Sequence, residues 1–350
     1  MTDRQSATFD APATPATVGG VAAVGSGAAA AGGTAAAGAL ARSGGNEQLV
    51  PAVRVRINGV PLPPQIVADL ISVSVHEDVD APGMFTLQLI NWDMVRQQVS
   101  WADDTTWLDL GAAVEVQMGY VNRQETLLAG EITGLEPEFE AGEVPTLIVR
   151  GYDRRHRLMR GQQTRSYLKV KDSDVAGQIA TRLGLRAETQ DTRVVLDYVL
   201  QHNQTDMEFL QGRARPIGYE VVVEDRTLYF RPRQHSKPPT LTLERDEDLI
   251  AFFPRLTTMG LAAELAVRGW NPKNKQAFVG KAGPNDQVGM GGTVTGAQRA
   301  AGRAFGQAGA ASITRPVASQ GEADQIARGE FNTMALSYIS GSGTCIGPPR

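Results

Sequence analysis

Apolar and polar residues alternate with a period of two along much of the chain from Pro51 onward. Val53, Val55 and Ile57 interleave with Arg54 and Arg56, and the turn pair Asn58-Gly59 follows. Ile71, Val73 and Val75 interleave with Ser72, Ser74 and His76; Phe85, Leu87 and Leu89 with Thr86 and Gln88; Val114, Val116 and Met118 with Glu115 and Gln117. Short runs of this kind mark antiparallel strands with one buried face. With Ile132 and the run 146–150 added, residues 51–152 are expected to form a closed or nearly closed antiparallel barrel.

The period then changes. Val175, Ile179 and Leu183 fall at helical spacing behind Asp172-Ser173-Asp174, and Gly184 follows as a helix-ending residue. A second helix is predicted from Thr205, with Glu208 at capping-box spacing, Phe209 and Leu210 apolar, and Pro216 beyond its end. Tyr219, Val221 and Val223 alternate into a hairpin around Glu224-Asp225-Arg226 that returns through Leu228 to Phe230. This is a small α+β module, closed by a proline-rich link over residues 231–239.

Strand-like text returns at 240–243, 257–267 and 277–279, followed by a Gly/Ala-rich stretch, 289–311, read as loop. Ser319 and Glu322 form another capping-box pair, and Ala323, Ile326, Ala327, Phe331 and Met334 make the apolar stripe of a helix ending before Gly341. Residues 340–344 read as a Gly/Ser linker. The expected organisation is an extension at 1–48, a strand domain at 49–153, an α+β insert at 154–237, a second strand domain at 238–346 and the start of a linker at 347–350.

Composition changes this picture mainly at the front. Ala and Gly supply 24 of residues 1–48, and no charged residue stands between Ala11 and Ala41. Such a run lacks the Leu, Ile and Phe of a membrane span and the compact apolar core of a signal peptide, so a disordered extension without stable membrane insertion is expected. Over the whole chain 42% apolar and 21% charged residues describe a globular protein of more than one domain. The net charge of −4, with a pI near 5.7, offers none of the basic footprint of a dedicated nucleic-acid-binding protein.

Candidate chemistry is sparse. The single cysteine, Cys345, excludes an internal disulfide framework, and His76, His156, His202 and His235 fall at no metal-ligand spacing. No serine carries glycine at both −2 and +2, so the hydrolase nucleophile elbow is absent. Gly289-Met290-Gly291-Gly292 lacks the Gly-Lys-Ser/Thr ending of a phosphate loop. The pairs Asp103-Asp104 and Glu138/Glu140 read as solvated charges. No catalytic, cofactor or metal residues are therefore assigned, and the chain is expected not to be an enzyme. One charged feature stands out: Arg150, Arg154, Arg155, Arg157, Arg160 and Arg165, with His156, Lys169 and Lys171, crowd one stretch. Guanidinium forks favour bidentate carboxylate or phosphate pairing. Ion pairing between domains or subunits, a solvated junction and nucleic-acid binding remain open for it, although only Tyr152 and Tyr167 are placed to stack bases.

Several motifs, in order, carry a resemblance. They are Gly151-Tyr152-Asp153 before the Arg/His-rich run, and residues 166–185 with Asp172-Ser173-Asp174 and Gly184-Leu185. Gln201, Thr205-Asp206, Glu208-Phe209-Leu210 and Ile217-Gly218-Tyr219 follow, then Val267-Arg268-Gly269-Trp270-Asn271-Pro272, where Asp is commoner than Asn between the Trp and the Pro. Over residues 51–350 the chain resembles the hub proteins of contractile tails: the late-control protein D family of phages and the hub portion of VgrG spike proteins in contractile injection and type VI secretion systems.

The resemblance implies a mainly β fold with an α+β insert, two tail-tube-type antiparallel barrels in one chain, and a homotrimer presenting a pseudo-sixfold ring. Such a ring matches a hexameric inner tube on one face and a trimeric spike on the other, so the implied role is a baseplate hub that adapts one to the other and puncture of a target envelope. The implied partners are inner-tube and tube-initiator proteins, baseplate wedge proteins, a PAAR-type spike tip and a LysM-type baseplate protein, with no nucleic acid and no cofactor. Assembly in the bacterial cytoplasm into a phage tail-like particle, and its release, belong to the same expectation. Two alternatives stay open: residues 167–185 vaguely resemble a LysM-type wall-binding repeat, and some relatives carry a lysozyme domain. In the family a neck and spike follow the second barrel, so Cys345-Ile346-Gly347-Pro348-Pro349-Arg350 is read as the run-in to a neck, in a longer chain rather than one whose spike is a separate polypeptide.

Overall fold

A computed structural model describes residues 18–23 and 51–345, except 79–80, 121–122, 236–241, 248, 272–273, 289–305, 307–308, 313–316 and 318. The chain divides into two units, Met1–Tyr152 and Asp153–Arg350. The loop reading of 289–311 therefore lies largely, and the linker reading of 347–350 wholly, outside the described residues.

In the first unit the elements run β1 (Val18–Ala23), β2 (Pro51–Ile57), β3 (Val60–Pro61), α1 (Pro64–Asp69), β4 (Leu70–Glu77), β5 (Met84–Ile90), β6 (Ala113–Tyr120), β7 (Arg123–Glu138) and β8 (Thr146–Asp153). They form one eight-stranded sheet in the order β1-β4-β5-β8-β7-β6-β2-β3. Its recorded pairings are antiparallel. Alternation does what the pattern predicted: Val55 and Ile57, Phe85, Leu87 and Leu89, Val114 and Val116, Leu147 and Val149 are buried on one face, with Ile66 of α1 and Ile132 joining them. The Asn58-Gly59 turn has both residues at positive φ, +51° and +82°, as the two-residue hairpin between β2 and β3 requires. One position departs from the reading. A register shift between Leu70 and Ser72 in the β4–β5 ladder buries Leu70 and turns Ile71 out, because an irregular residue reverses the alternation. The Ala/Gly-rich extension, expected to lack structure, is described only over β1, which pairs with the β4 edge through its backbone. A ladder of N–H and C=O groups needs no apolar side chain. Its other residues lie outside the described set.

The second unit opens with a 3-10 helix, Arg154–Met159, capped by the Asp153 carboxylate, which accepts from the Arg155 N–H at 2.7 Å. It continues with β9 (Gln163–Val170), α2 (Asp172–Arg182), β10 (Arg186–Thr189), β11 (Leu196–Gln204), α3 (Asp206–Ala214), β12 (Tyr219–Glu224) and β13 (Thr227–Pro232). After these come β14 (Leu249–Leu256), β15 (Glu264–Asn271), β16 (Gln276–Ala282), β17 (Gly309–Ser312), α4 (Gln320–Leu336) and β18 (Ile339–Cys345). Sheet order is β10-β13-β12, β11-β9, β14-β18 and β16-β15-β17; most pairs are antiparallel, but β10–β13 and β15–β17 are parallel. Thr205 Oγ1 accepts from the Glu208 N–H at 3.2 Å while Glu208 accepts from the Thr205 N–H at 2.8 Å, closing the predicted capping box. Gly184 takes the left-handed φ of +70° that ends α2.

Three expectations for this half are corrected. Residues 257–267, read as one strand, turn at Gly260 (φ +80°), and only their end belongs to β15. Residues 340–344, read as a linker, are strand: β18 pairs with β14 from Leu256↔Ile339 to Leu249↔Cys345. The segments 154–237 and 238–346, expected as separate domains, share one core, in which Ile179, Phe209, Leu228 and Phe230 cluster with Leu265, Val267, Ile326 and Phe331. The helix α4 joins them. It packs on β15, on β16 and on the 3-10 turn Arg215–Ile217. Two glycines permit this approach: a Cβ on Gly329 would stand 2.2 Å from the Pro216 carbonyl oxygen, and one on Gly280 of β16 would stand 2.2 Å from the Ala323 carbonyl carbon.

Candidate interaction surfaces

Among the described residues no group of three or more His, Cys, Asp or Glu side chains converges to hold a metal ion, and no helix is long and apolar enough to cross a membrane. The acidic pairs behave as turn and strand-end residues. Asp104 accepts from the backbone N–H groups of Thr106 and Trp107, and Glu138 accepts from Thr146 Oγ1. Cys345 is exposed on β18. The Gly289–Gly292 tetrapeptide lies outside the described residues.

The arginine-rich stretch is largely used up inside each unit. In the first, Arg150 makes a two-pronged pair with Glu136 at 3.1 and 3.2 Å. In the second, the buried Arg154 pairs with Asp225 at the tip of the β12–β13 hairpin, Arg155 with Asp153, and Lys171 with Asp191. Arg157 donates to the Leu183 carbonyl at 3.2 Å, serving a C-terminal carbonyl of α2 that the helix leaves open. Arg165 donates to Gln163 on its own strand. Arg160 and Lys169 are exposed and His156 is half-buried. The stretch locks the 3-10 helix and α2 in place; it is not an array of cations facing one way.

A second polar network, most of it unmarked in the charge pattern, runs through the core of this unit. Arg213 near the end of α3 donates two hydrogen bonds to Asp172 at the start of α2, at 2.6 and 3.0 Å, and lies 3.9 Å from Glu322 in the first turn of α4. Arg182 reaches both oxygens of Asp206 at 2.6 and 2.7 Å, and the fully buried Gln201 donates to the same carboxylate at 3.0 Å. Asp172, Asp206 and Glu322 are all buried, so each carboxylate depends on its arginine for charge compensation. Each also stands in the first turn of a helix, where the unpaired N–H groups favour negative charge. Gln201 and Thr205-Asp206, conspicuous in the sequence, are thus helix-start and core-locking residues.

A cleft of about 480 Å³ in this unit is lined in part by Asp191, Arg193, Tyr219, His235, Gln325 and Arg328. The Tyr219 hydroxyl donates to the Asp191 carbonyl at 3.3 Å, and burial pushes its pKa up. Asp191 is held below the usual carboxylate range, first by the Arg193 backbone N–H and then by Lys171. Burial, reinforced by Arg233, pushes the His235 imidazole down toward its neutral form. None of these makes an activated nucleophile: the hydroxyl is tied to a carbonyl and made less acidic. Polar and apolar side chains line the cleft together.

What the molecule does present is apolar surface. In the first unit Met94 and Val95 stand out at the tip of the 93–98 turn, with Val95 93% exposed, and Phe139 and Val144 are exposed around the β7–β8 turn. In the second, Leu168 and Tyr198 stand opposite each other in the β9–β11 ladder, both exposed, while Tyr167 and Val199 of the same ladder are buried. Residues 167–185, weighed as a wall-binding repeat, turn Tyr167, Val175, Ala176, Ile179, Ala180 and Leu185 into the core. The most exposed apolar element is β14, where Ile250, Phe252, Phe253 and Leu256 are 66%, 59%, 68% and 61% accessible.

Comparison with known proteins bears on the fold. The family model described as Alg8 N-terminal domain matches residues 47–350. No curated protein matches the chain. Among solved structures, the 43 kDa tail protein of prophage MuSo2 from Shewanella oneidensis superimposes with a TM-score of 0.55 at 13% identity, covering 85% of this chain and 83% of that one. A tail protein from Neisseria meningitidis MC58 gives 0.53 at 16% identity, covering 85% and 81%. Prophage tail protein gp18 from Listeria monocytogenes EGD-e gives 0.51 at 13%, covering 85% and 82%. The chain has the fold of these phage tail proteins, mainly β with antiparallel sheets.

Proposed function

The chain belongs to the Alg8 N-terminal domain family, and from its likeness in fold to phage tail proteins we propose that it is a structural component of a contractile phage tail or injection system: the baseplate hub that adapts a hexameric inner tube to a trimeric spike. The observation that carries the reading is a likeness to phage tail proteins that extends over 85% of the chain, rather than over one module. The order of motifs that resembles late-control protein D and VgrG hubs supports the finer role. Three copies, each with two strand-rich parts, supply the sixfold-to-threefold match, and the chain works without catalysis, through its surfaces. Tube, wedge and spike-tip proteins are its neighbours in a particle assembled in the bacterial cytoplasm. The test is to purify the native particle and locate the chain by labelling and electron microscopy. The expected result is three copies at the junction of tube and spike; density at the sheath, or a particle that lacks the chain, refutes the reading.

A further inference from the structure

The cleft of about 480 Å³ lies wholly within the second unit, and its size falls in the roughly 300–1,000 Å³ range of ligand clefts. Its carboxylates and carbonyls are engaged from within the chain. The Asp191 carbonyl takes the Tyr219 hydroxyl, and the Thr192 carbonyl takes the Gln325 side-chain amide at 3.3 Å. The Asp191 carboxylate takes the Lys171 ammonium at 3.0 Å and the Arg193 backbone N–H at 2.8 Å. Asn332 Oδ1 takes the Val288 N–H, and the Asp324 carboxylate takes Gln320 Nε2, both at 2.8 Å. The donors are left over. Among the described residues the guanidinium groups of Arg193 and Arg233 have neither an ion-pair nor a hydrogen-bond partner, whereas Arg328 pairs with Asp286 at 3.4 Å. Since Lys171 offsets Asp191 and Asp286 offsets Arg328, two guanidinium charges face the single carboxylate of Asp324. His235, pushed toward its neutral form, adds a donor rather than a charge.

We propose that this cleft is a binding site for an acidic peptide segment of a partner protein, with Arg193 and Arg233 donating to its carboxylates. The surplus of positive charge and of unengaged donors selects an anion. The planar fork of each guanidinium matches the two oxygens of a carboxylate. The rest of the wall narrows the choice. Val194, Ile217, Pro232 and Leu336 also line the cleft, so the occupant carries apolar groups beside its charges. An inorganic anion leaves that wall wet. A nucleic acid needs a stacking face, and Tyr219 is 8% exposed with its hydroxyl tied to a carbonyl. A peptide in which acidic and apolar side chains alternate uses both kinds of wall, and Asn332, whose oxygen is engaged, keeps its Nδ2 to donate to a peptide carbonyl. The site stands on the groups of the cleft and is independent of the hub reading.

The test titrates the full chain into a fluorescently labelled peptide, Glu-Leu-Glu-Leu-Glu, and follows its anisotropy. A second peptide replaces each glutamate by glutamine, and inorganic phosphate serves as a competitor. The variants are Arg193→Gln, Arg233→Gln, the double variant and, as a control that removes the same charge from the exposed β12–β13 turn, Arg226→Gln. Arg193 is exposed, Arg233 is half-buried and neither side chain is bonded, so these substitutions leave the fold in place. The expected outcome is saturable binding that each single cleft variant weakens roughly tenfold, as loss of one charged fork should, and that the double variant abolishes. The Arg226→Gln chain binds as the wild type does, and the glutamine peptide binds at least tenfold more weakly. Absence of saturable binding, equal binding of the glutamine peptide, or an equal loss in Arg226→Gln overturns the proposal. Phosphate that displaces the labelled peptide as well as unlabelled peptide does at the same concentration overturns it too, because the apolar wall then contributes nothing. Each of these failures leaves the hub reading to the particle microscopy described above.

Discussion

Gly329→Ala adds one methyl group at the centre of α4 and is expected to destabilise the second unit. The new Cβ would lie 2.2 Å from the Pro216 carbonyl oxygen and 2.6 Å from both the Gly218 nitrogen and the Ile217 carbonyl carbon. All three are backbone atoms, so no rotamer change relieves the clash. Ordinary non-bonded separations are ~3.5–4.0 Å, which requires α4 to withdraw by about 1 Å, and a gap of that size forfeits a quarter to a half of each dispersion well along its buried side. Overpacking costs about 1–3 kcal/mol or somewhat more, while replacing a helical glycine by alanine returns roughly 0.5–1 kcal/mol, leaving a net loss near 2 kcal/mol. For a unit of this size that is a fall in melting temperature of about 4–8 °C. Gly212→Ala in α3, where a Cβ meets nothing within 4 Å, is the control with the opposite sign and should raise the same transition by a few degrees. Scanning calorimetry of the 350-residue chain follows both. If Gly329→Ala melts at or above the wild-type temperature, the close approach of α4 to the turn is wrong.

Arg213→Ala strands the buried Asp172 and Glu322 carboxylates and should cost about 3–5 kcal/mol in denaturant titration of the second unit; a loss under 1 kcal/mol would show that water reaches them. Glu115 is held below the usual carboxylate range, first by the Thr126 hydroxyl, then by Gln117 and Arg56. Its folded state thus binds fewer protons than the unfolded chain, and its contribution is present above the ordinary glutamate value of about 4.3 and lost as pH falls through the lower folded value. Glu115→Gln should therefore flatten the acid side of the first unit's stability profile, and an unchanged acid limb counts against the hydrogen bonds. Because the arginines of the 150–165 stretch are mostly paired within their units, filter binding should show no tight, salt-steep retention of duplex or single-stranded nucleic acid. Purified cell wall should neither retain the chain nor be cleared by it in a zymogram, since the segment resembling a wall-binding repeat spends its apolar positions on the core.

The parts of the fold legible in the sequence are those where one residue's surroundings are set locally. Strands β2, β5, β6 and β8 show their alternation because one face is buried and the other is not. Thr205 with Glu208 and Ser319 with Glu322 announce helix starts because a cap acts over three residues. The rest depends on distant partners. The glycine-rich β18 has no side chain to signal a strand and becomes one only by pairing with β14, about ninety residues earlier. Leu70 rather than Ile71 is buried because of a register shift that no local pattern carries. Gly329 sits unremarked inside an apolar stripe, although its missing Cβ lets α4 dock. The surfaces were the hardest to read: Ile250, Phe252 and Phe253 look like core residues in a sequence, and only the three-dimensional arrangement shows them facing outward.

The docking of α4 also limits how this architecture can be rebuilt. The insert and the C-terminal strands look like cassettes in the text of the chain, divided by a proline-rich link. Yet the glycine-level contacts at Pro216 and Ala323 fit one helix to two backbones at once. A chimera that swapped residues 154–237 alone would bring a foreign turn against Gly329 and replace Arg213, leaving the buried Glu322 to face a foreign residue. The exchangeable piece is therefore the unit Asp153–Arg350 as a whole, and recombination among related chains would preserve its packing only when no crossover point falls inside that block.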